Sequence, residues 1–432
     1  PGSSRTLVLL DGAPMNKAAG GTLNWNFIQT GEVEKIEIVK GPGSALYGNN
    51  AMGGVISLST KKPEKAIEGK ARVFGGSLGT YGSAIDIGGS RKSGDRGYYW
   101  NGNAFYRQGD GYYIEPEETR DEYDSKVSLD EYNLGLEGGY SFDSNNTLGL
   151  QYRYYNGTFG TGDQVYEEDG SWDRYRSHLI LGSYKGQAGK YALQARVYYQ
   201  LENFDRQNES MSSSNKYKLS DTESVKNDIG IWMNASRTLF RNHLFTAGLE
   251  LKSGNMDALQ QYRTSTDKVD YGGQLYFGGI FIQDEFNIIG RLSAIAGLRL
   301  DLASFKKGYQ NVTDPTSNTG FIKDTSMEFD SESWMQLSPK LALQYEINPR
   351  LNAYASVASG FMPPKIDDLA KSGKISKGFK LANPELKPEN LINYETGINW
   401  MPFKSFSLEP SVYYSRGYDF QYFVATGDSV DT

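Results

Sequence analysis

Past residue 66 the chain reads as strand after strand, because apolar and polar positions alternate with a period of two. Tyr191, Leu193, Ala195, Val197, Tyr199 and Leu201 share one face, and Ala192, Gln194, Arg196, Tyr198 and Gln200 share the other. Successive side chains of a strand point to opposite sides, so one face suits oil and the other water. The pattern recurs at Leu292, Ala294, Ala296, Leu298, Leu300 and Leu302, against Ser293, Gly297, Arg299 and Asp301. It recurs again at Phe245, Ala247, Leu249 and Leu251, and at Leu148, Leu150, Tyr152 and Tyr154.

The connections alternate in length as well. Short ones fall near 92–97, 143–146, 186–189, 240–242, 289–291, 347–350 and 401–404. Long polar ones fall near 109–130, 159–173, 205–224, 256–272, 305–332 and 361–390. Transmembrane barrels have short turns at one rim and long loops at the other, whereas a soluble sandwich has no reason to alternate so regularly. About fifteen strands are predicted, many longer than the usual five or six residues. Backbone groups in hydrocarbon must all be paired, so a spanning sheet has to close on itself. An odd strand number with an unfinished last loop cannot do so, which predicts further strands beyond Thr432.

Residues 1–65 read differently, as compact α/β. Arg5 to Leu10 is a short buried strand ended by the turn pair Asp11-Gly12. Glu34 to Lys40 alternates charged and β-branched residues, and Gly41-Pro42-Gly43 ends it. Ser44 to Asn49 suits one helical turn, and Gly53 to Thr60 is another strand. The expected domains are therefore 1–65 and 66–432.

Composition agrees with a membrane barrel. The 432 residues hold 31 Tyr, 20 Phe, 6 Trp and 50 Gly, which suits aromatic girdles and tight turns. Hydrophobic residues make up 38%, with no apolar run long enough for a spanning helix. The net charge of −7 lacks the basic footprint of a nucleic-acid binder. With no Cys, disulfides, thiolate metal sites and thiol nucleophiles are excluded. The stretch opens at Pro1 without a Met and closes in polar Asp431-Thr432, as a piece of a longer chain would.

Three blocks near the start resemble the plug of TonB-dependent outer-membrane receptors. Leu7 to Pro14 is similar to its "vlvDGvp" strand, carrying Asp11 and Gly12. Val33 to Gly48 is similar to "IErIEVvrGpaSalYG", carrying Glu34, Glu37, Gly41, Pro42, Tyr47 and Gly48. Asn50 to Lys61 is similar to "gAiGGvInIiTK", carrying Gly53 and Gly54. Downstream, Ser359 to Pro364 and Asn383 to Glu389 resemble the paired "FRAP" and "NPNLKPE" boxes of the same family's barrel.

The resemblance implies a fold and a job. The fold is a mainly β, transmembrane antiparallel barrel with a small α/β plug, here about 15 of about twenty-two strands. The job is TonB-dependent active import across the bacterial outer membrane. The implied partners are TonB with its inner-membrane motor complex, the lipid bilayer and lipopolysaccharide, and a metal-chelate or vitamin ligand. The plug wording matches the siderophore and cobalamin style rather than the glycan-import branch, so a ferric siderophore is the expected solute, with cobalamin, another metal chelate or a glycan as alternatives. Lys35 and Lys40 stand where Arg is usual, Met362 replaces an Arg, and the TonB box is absent. Lys keeps the charge but loses the bidentate fork. Glu34, Lys35, Glu37 and Lys40 suit either a polar lumen or a solvated strand face.

Two rival classes have different consequences: a passive porin or adhesin barrel, which has no use for a plug, and a soluble secreted β protein. Catalysis has no support, since no nucleophile constellation appears and the two histidines, His178 and His243, lie far apart. Family haem receptors place a His between the two boxes, and residues 365–382 contain none. No cofactor and no metal site is expected. The acidic stretch 115–131 reads as a solvated loop, with calcium the sharper alternative.

For ligand contact the resemblance points to the plug apex. Gly20 to Asn26 is Gly-rich, with Trp25 between Asn24 and Asn26, able to stack on and hydrogen-bond a chelate. Packing of Trp25 inside the plug is the alternative. Tyr166, Trp172 and Tyr175 are further candidates, with Trp172 and Tyr175 equally suited to an aromatic girdle.

Overall fold

The period-two segments form one curved antiparallel sheet in the computed structural model, which describes residues 3–18, 20–21, 23–212, 214–240, 242–375, 378–424 and 427. A smaller sheet comes first: β1 (Thr6–Leu10), β2 (Ala13–Pro14), β3 (Val33–Lys40) and β4 (Gly54–Thr60), with helix α1 (Ser44–Tyr47) between the last two. Its order is β2-β1-β4-β3. Strands β1 and β4 run parallel, and the outer pairs are antiparallel.

The wall begins with β5 (Glu68–Gly75), β6 (Tyr81–Ser93), β7 (Arg96–Gly109), β8 (Leu129–Ser141) and β9 (Thr147–Gly160). It continues through β10 (Trp172–Ala188), β11 (Tyr191–Met211), β12 (Tyr217–Leu239), β13 (His243–Tyr262), β14 (Lys268–Ile289) and β15 (Leu292–Thr313). Then follow β16 (Thr325–Phe329), β17 (Glu332–Asn348), β18 (Leu351–Met362), helix α2 (Ile366–Ala370), the small hairpin β19 (Gly373–Ile375) and β20 (Gly378–Lys380), β21 (Glu389–Phe403), β22 (Phe406–Leu408) and β23 (Ser411–Tyr418).

Leaving out the small hairpin, these strands follow one another round a barrel in chain order. Segments β16 and β22 are short pieces lying along β15 and β21, which leaves the fifteen full staves that the pattern predicts. In that order β23 stands next to β5 and the ring closes there, and β23 is exposed along its whole length.

The barrel is turned inside out relative to a soluble core. On β9, Gln151 and Arg153 are buried while the alternate positions Leu150 and Tyr152 are exposed, Leu150 to 63%. On β11, Tyr198 and Gln200 are buried while Val197 and Tyr199 are exposed. What the polar inner face meets is the small sheet. Val8, Leu10, Ala13, Phe27 and Leu58 pack in one cluster with Tyr155, Leu179, Leu181 and Tyr198 of the wall. Burying each such large side chain contributes about 1.5–3 kcal/mol.

Loop lengths differ from expectation. The connections expected at 205–224 and 256–272 shrink to 212–216 and 263–267, because β11, β12, β13 and β14 run on past them. A tilted strand crosses hydrocarbon in about 9–11 residues, and β12 has 23. Its excess, like that of β11, carries polar residues on both faces, with Gln207, Glu209, Ser220 and Ser224 buried, so the apolar–polar alternation that marks a strand disappears there. The connection expected at 361–390 also holds structure: Ile366, Leu369 and Ala370 of α2 are buried against Met256, Tyr271, Leu275 and Phe305 of the wall. Strand β3 is exposed from Glu34 to Lys40, and Lys35 pairs at 2.7 Å with Glu37 of its own strand. Glu34 and Glu37 border the open space between this sheet and the inner face of the wall, and among the described residues the strand's charges make no ion pair to that wall.

Candidate functional site

The motif residues of the small domain make turns against wall side chains. Asp11 (φ 50) and Gly12 (φ 86) turn the chain from β1 into β2. The Asp11 carboxylate accepts from the Thr60 N–H and Oγ1, both at 2.9 Å, and from Gln151 Nε2 of the wall at 3.1 Å. It thus ties the ends of β1 and β4 to β9. A Cβ on Gly12 would land on the Arg196 guanidinium, whose Nε donates to the Asp11 carbonyl at 3.2 Å.

Gly48 (φ 74) repeats the arrangement, with Arg299 Nη2 2.6 Å from where a Cβ would sit. Arg299 is held by Glu250 at 2.6 Å and Asp301 at 2.9 Å and reaches the Leu46 carbonyl at 3.4 Å. Two motif glycines are therefore seats for two wall arginines. Gly41 also has positive φ, and Gly54 lies under the Val39 carbonyl. Gly53 donates to the Arg5 carbonyl at 2.7 Å. Pro42 is buried, Tyr47 packs against the cluster of Leu7, Leu9, Ala51 and Val55, and Glu34 and Glu37 stand open.

Further buried polar contacts fix the domain in the bore. Glu32 pairs with Arg153, both buried. Arg5 meets Glu389 of the second barrel box through two bonds of 2.6 and 2.7 Å, a fork that adds direction as well as energy. Lys17 donates to Gln200 at 2.7 Å, the Ala18 N–H to Asp228 at 2.6 Å, and Lys252 to Asn49 at 2.6 Å. A buried charge left without its partner is costly, so these pairs specify one seating.

The structure divides the sequence-predicted contact residues. Asn24 caps a 3-10 turn over Trp25–Phe27, accepting from the Asn26 N–H at 3.0 Å. Phe27 turns inward towards Tyr155, with ring centroids 6.3 Å apart, and Asn133 Nδ2 holds its carbonyl at 2.9 Å. With Phe27 committed to the core, Trp25 is left 50% exposed rather than packed inside. Thr22 in the same segment lies outside the described residues. Tyr175 joins this neighbourhood. It packs on the plug–wall cluster with Leu23 and touches Phe159 and Phe204, at 6.1 and 4.9 Å between centroids.

Trp172 lies three residues before Tyr175 on β10, which puts it on the opposite, outer face under Arg174 at 4.7 Å. Trp172 therefore leaves the set of bore-facing contacts. Tyr166 is apart from both, on the 161–171 connection, edge-on to Tyr217 at 4.7 Å. Its N–H and that of Val165 donate to Glu209.

Sequence reading missed the helix of the box loop. Lys371, just after α2, donates to the Tyr271 hydroxyl at 3.3 Å and lies 4.5 Å over its ring. Burial pushes the Lys371 ammonium down, and nearby Lys380 and Arg206 push the same way against Asp367. The signal was present: Ile366, Leu369 and Ala370 are spaced i, i+3, i+4 in an otherwise polar stretch. Asp267 was missed too. Burial would raise its carboxyl, but bonds from Ser265, Thr316 and Thr319 outweigh that and hold it at about 2. It ties the connection 263–267 to 314–324.

His178 is within 3.0 Å of Tyr152, and His243 within 2.8 Å of Asp284. Among the described residues no three His, Asp or Glu gather as a metal would require, the 115–131 stretch included.

Comparison with known proteins agrees with this geometry. The TonB-dependent receptor plug domain model matches residues 2–55, and the TonB-dependent receptor-like β-barrel model matches 71–432. The vitamin B12 transporter BtuB of Photobacterium profundum is 25% identical over 404 residues, 92% of this chain and 56% of that protein. The ferric enterobactin receptor PirA of Pseudomonas aeruginosa is 35% identical over 83 residues, 17% of this chain and 11% of that protein. The ferric yersiniabactin uptake receptor FyuA of Yersinia pestis superposes with a TM-score of 0.75 at 17% identity, over 96% of this chain and 64% of that one. The chain thus spans little more than half the length of the curated relative that it matches almost end to end.

Proposed function

Because this chain belongs to the TonB-dependent receptor family, we propose that it takes part in energised import of a scarce solute, a ferric siderophore first, across the bacterial outer membrane. The carrying observation is the small domain seated in the bore by buried pairs such as Glu32–Arg153 and Arg5–Glu389. A passive pore has no use for such a stopper. An importer needs one, because it must hold the bore shut until energy arrives. The outer membrane has no ATP or ion gradient of its own, so that energy has to come from the inner-membrane motor through TonB.

In this reading residues 1–65 are the plug and 66–432 the wall. The apolar outer face lies in lipid, and the upper ends of the strands stand among lipopolysaccharide. Asn24, Trp25 and Asn26 at the plug apex, with Tyr175 on the wall beside them, make the first contact with the solute. Tyr166 on its hairpin-tip loop is a peripheral contact.

The test is uptake of a radio-iron chelate by cells carrying the protein, with and without TonB. Uptake should require both. Uptake that persists without TonB would falsify the reading. Cobalamin is the second reading, favoured by the relation to a vitamin B12 transporter along 92% of the chain. Competition by cyanocobalamin, and none by iron chelates, would select it.

A further inference from the structure

The oil-facing side of the wall carries a charged pair that import of a solute does not use. At the rim of short turns His243 opens β13, and Asp284 lies diagonally beside it on β14. Both stand on the outer face, His243 in step with Phe245, Ala247 and Leu251, and Asp284 with Ile280, Ile282 and Phe286. Strands β12 and β15 continue the wall on either side, and the plug lies behind it.

Asp284 thus interrupts an apolar run. A carboxylate turned towards hydrocarbon is costly unless it is paired. Its Oδ2 lies 2.8 Å from His243 Nδ1, and among the described residues His243 is its ion-pair partner. The pair is strongest with the imidazole protonated, when both ring nitrogens are donors. Nδ1 is spent on Asp284, while Nε2, on the far side of the ring, makes no hydrogen bond among the described residues.

The ring itself is clamped. Phe286 and Phe245 lie nearly parallel to it, at 12° and 14°, with centroids 4.9 and 5.9 Å away, and Phe240 meets it edge-on at 6.1 Å. Aromatic faces favour a cation between them, and the bond at Nδ1 fixes where Nε2 points. The charges around the pair suit an anion. Arg237, on the same face of β12, donates to the Tyr191 hydroxyl at 2.9 Å, and Arg291 on the adjoining turn donates to the Ile347 carbonyl at 2.9 Å. The neighbouring acids Glu285 and Glu346 have the inward parity of their strands.

We propose that His243, aimed by Asp284, is a headgroup site for a phospholipid of the inner leaflet. Nε2 donates to a phosphodiester oxygen, and the acyl chains lie along Phe240, Phe245 and Phe286. The apolar frame selects this ligand, because a phosphodiester is an anion that sits at the boundary of oil and water. The rim of short turns is the periplasmic one, which fixes the leaflet. A wall pinned there to the headgroup layer resists being dragged inward when force is applied to the plug. The site itself does not depend on what is imported.

The experiment is solid-state NMR of the intact protein with isotope-labelled histidine rings, in vesicles of phosphatidylethanolamine and phosphatidylglycerol. The His243 Nε2 signal, identified by its loss in His243→Gln, should be dephased by lipid phosphorus. His178 is the internal standard. It also stands on the outer face, further from the short turns, and meets the Tyr152 hydroxyl at 3.0 Å instead of a carboxylate. Both leaflets of these vesicles carry phosphate, yet its signal should persist. Asp284→Asn keeps the shape and removes the charge. It should abolish the dephasing and weaken phosphatidylglycerol binding in a sugar-headed detergent about tenfold.

An undephased His243 signal means that the pair serves only itself, and it overturns the proposal. Equal dephasing at His178 does so too, since any outward histidine would then meet phosphate. Dephasing that survives Asp284→Asn also contradicts it. If Asp284→Asn fails to fold, the comparison of His243 with His178 in the unaltered protein decides alone.

Discussion

The two faces of β9 and β11 stand back to back and obey different rules. Outward, Leu148, Leu150, Val197 and Tyr199 meet an anonymous solvent that asks only for apolar surface. Inward, Gln151, Arg153, Arg196 and Gln200 each meet a named partner in the plug: Asp11, Glu32, the Asp11 carbonyl and Lys17. The outer face should therefore tolerate any exchange that keeps it apolar, and the inner face almost none.

The largest effect is expected from breaking one inner pair. Arg153→Leu strands the buried Glu32 carboxylate and should cost about 3–5 kcal/mol, read as lower resistance of the plug to denaturant and protease. The double change Glu32→Leu with Arg153→Leu should restore most of it. A failure to recover would mean that the pair is not what seats the plug there. Next, Leu150→Arg puts a charge on the outer face and should cost about 2–4 kcal/mol near the bilayer midplane, measured by unfolding in vesicles. Leu150→Phe should be nearly silent. If both are silent, that face does not meet lipid.

Gly12→Ala tests the seat of Arg196. The backbone strain at φ 86 is of order 1–3 kcal/mol, with the guanidinium displaced in addition. The expected readout is faster cleavage near Asp11 with little change in global unfolding.

The smallest effect is local and depends on pH. The Asp267 carboxyl is held below its ordinary value of 3.8, at about 2. Its tie to Thr316 and Thr319 is therefore complete above about pH 4 and fades as pH falls through 2. Hydrogen exchange at the Thr316 amide should accelerate across that window. Asp267→Asn should remove the pH dependence and leave exchange fast throughout.

What could be read from the sequence follows the same divide. The lipid face was legible because hydrocarbon imposes one demand at every second residue, as at Leu148, Leu150 and Tyr152. The plug motif was legible as residues but not as contacts: Gly12 and Gly48 signal tight turns, while nothing near them announces Arg196 or Arg299, 184 and 251 residues away. Towards the long-loop rim the alternation failed, since β11 and β12 carry polar residues on both faces there, and polar strand was read as loop. Trp172 and Tyr175 could not be separated by composition. Only the parity of β10 sends one outward and the other towards the plug.

Whether the amino-terminal globule stoppers the bore is measured most directly by single-channel conductance in planar bilayers, with the protein as the outer membrane holds it. The intact protein should pass almost no current, and deletion of residues 3–60 should open a large, steady conductance. A steady current through the intact protein, unchanged by that deletion, would contradict a closed, energy-dependent gate.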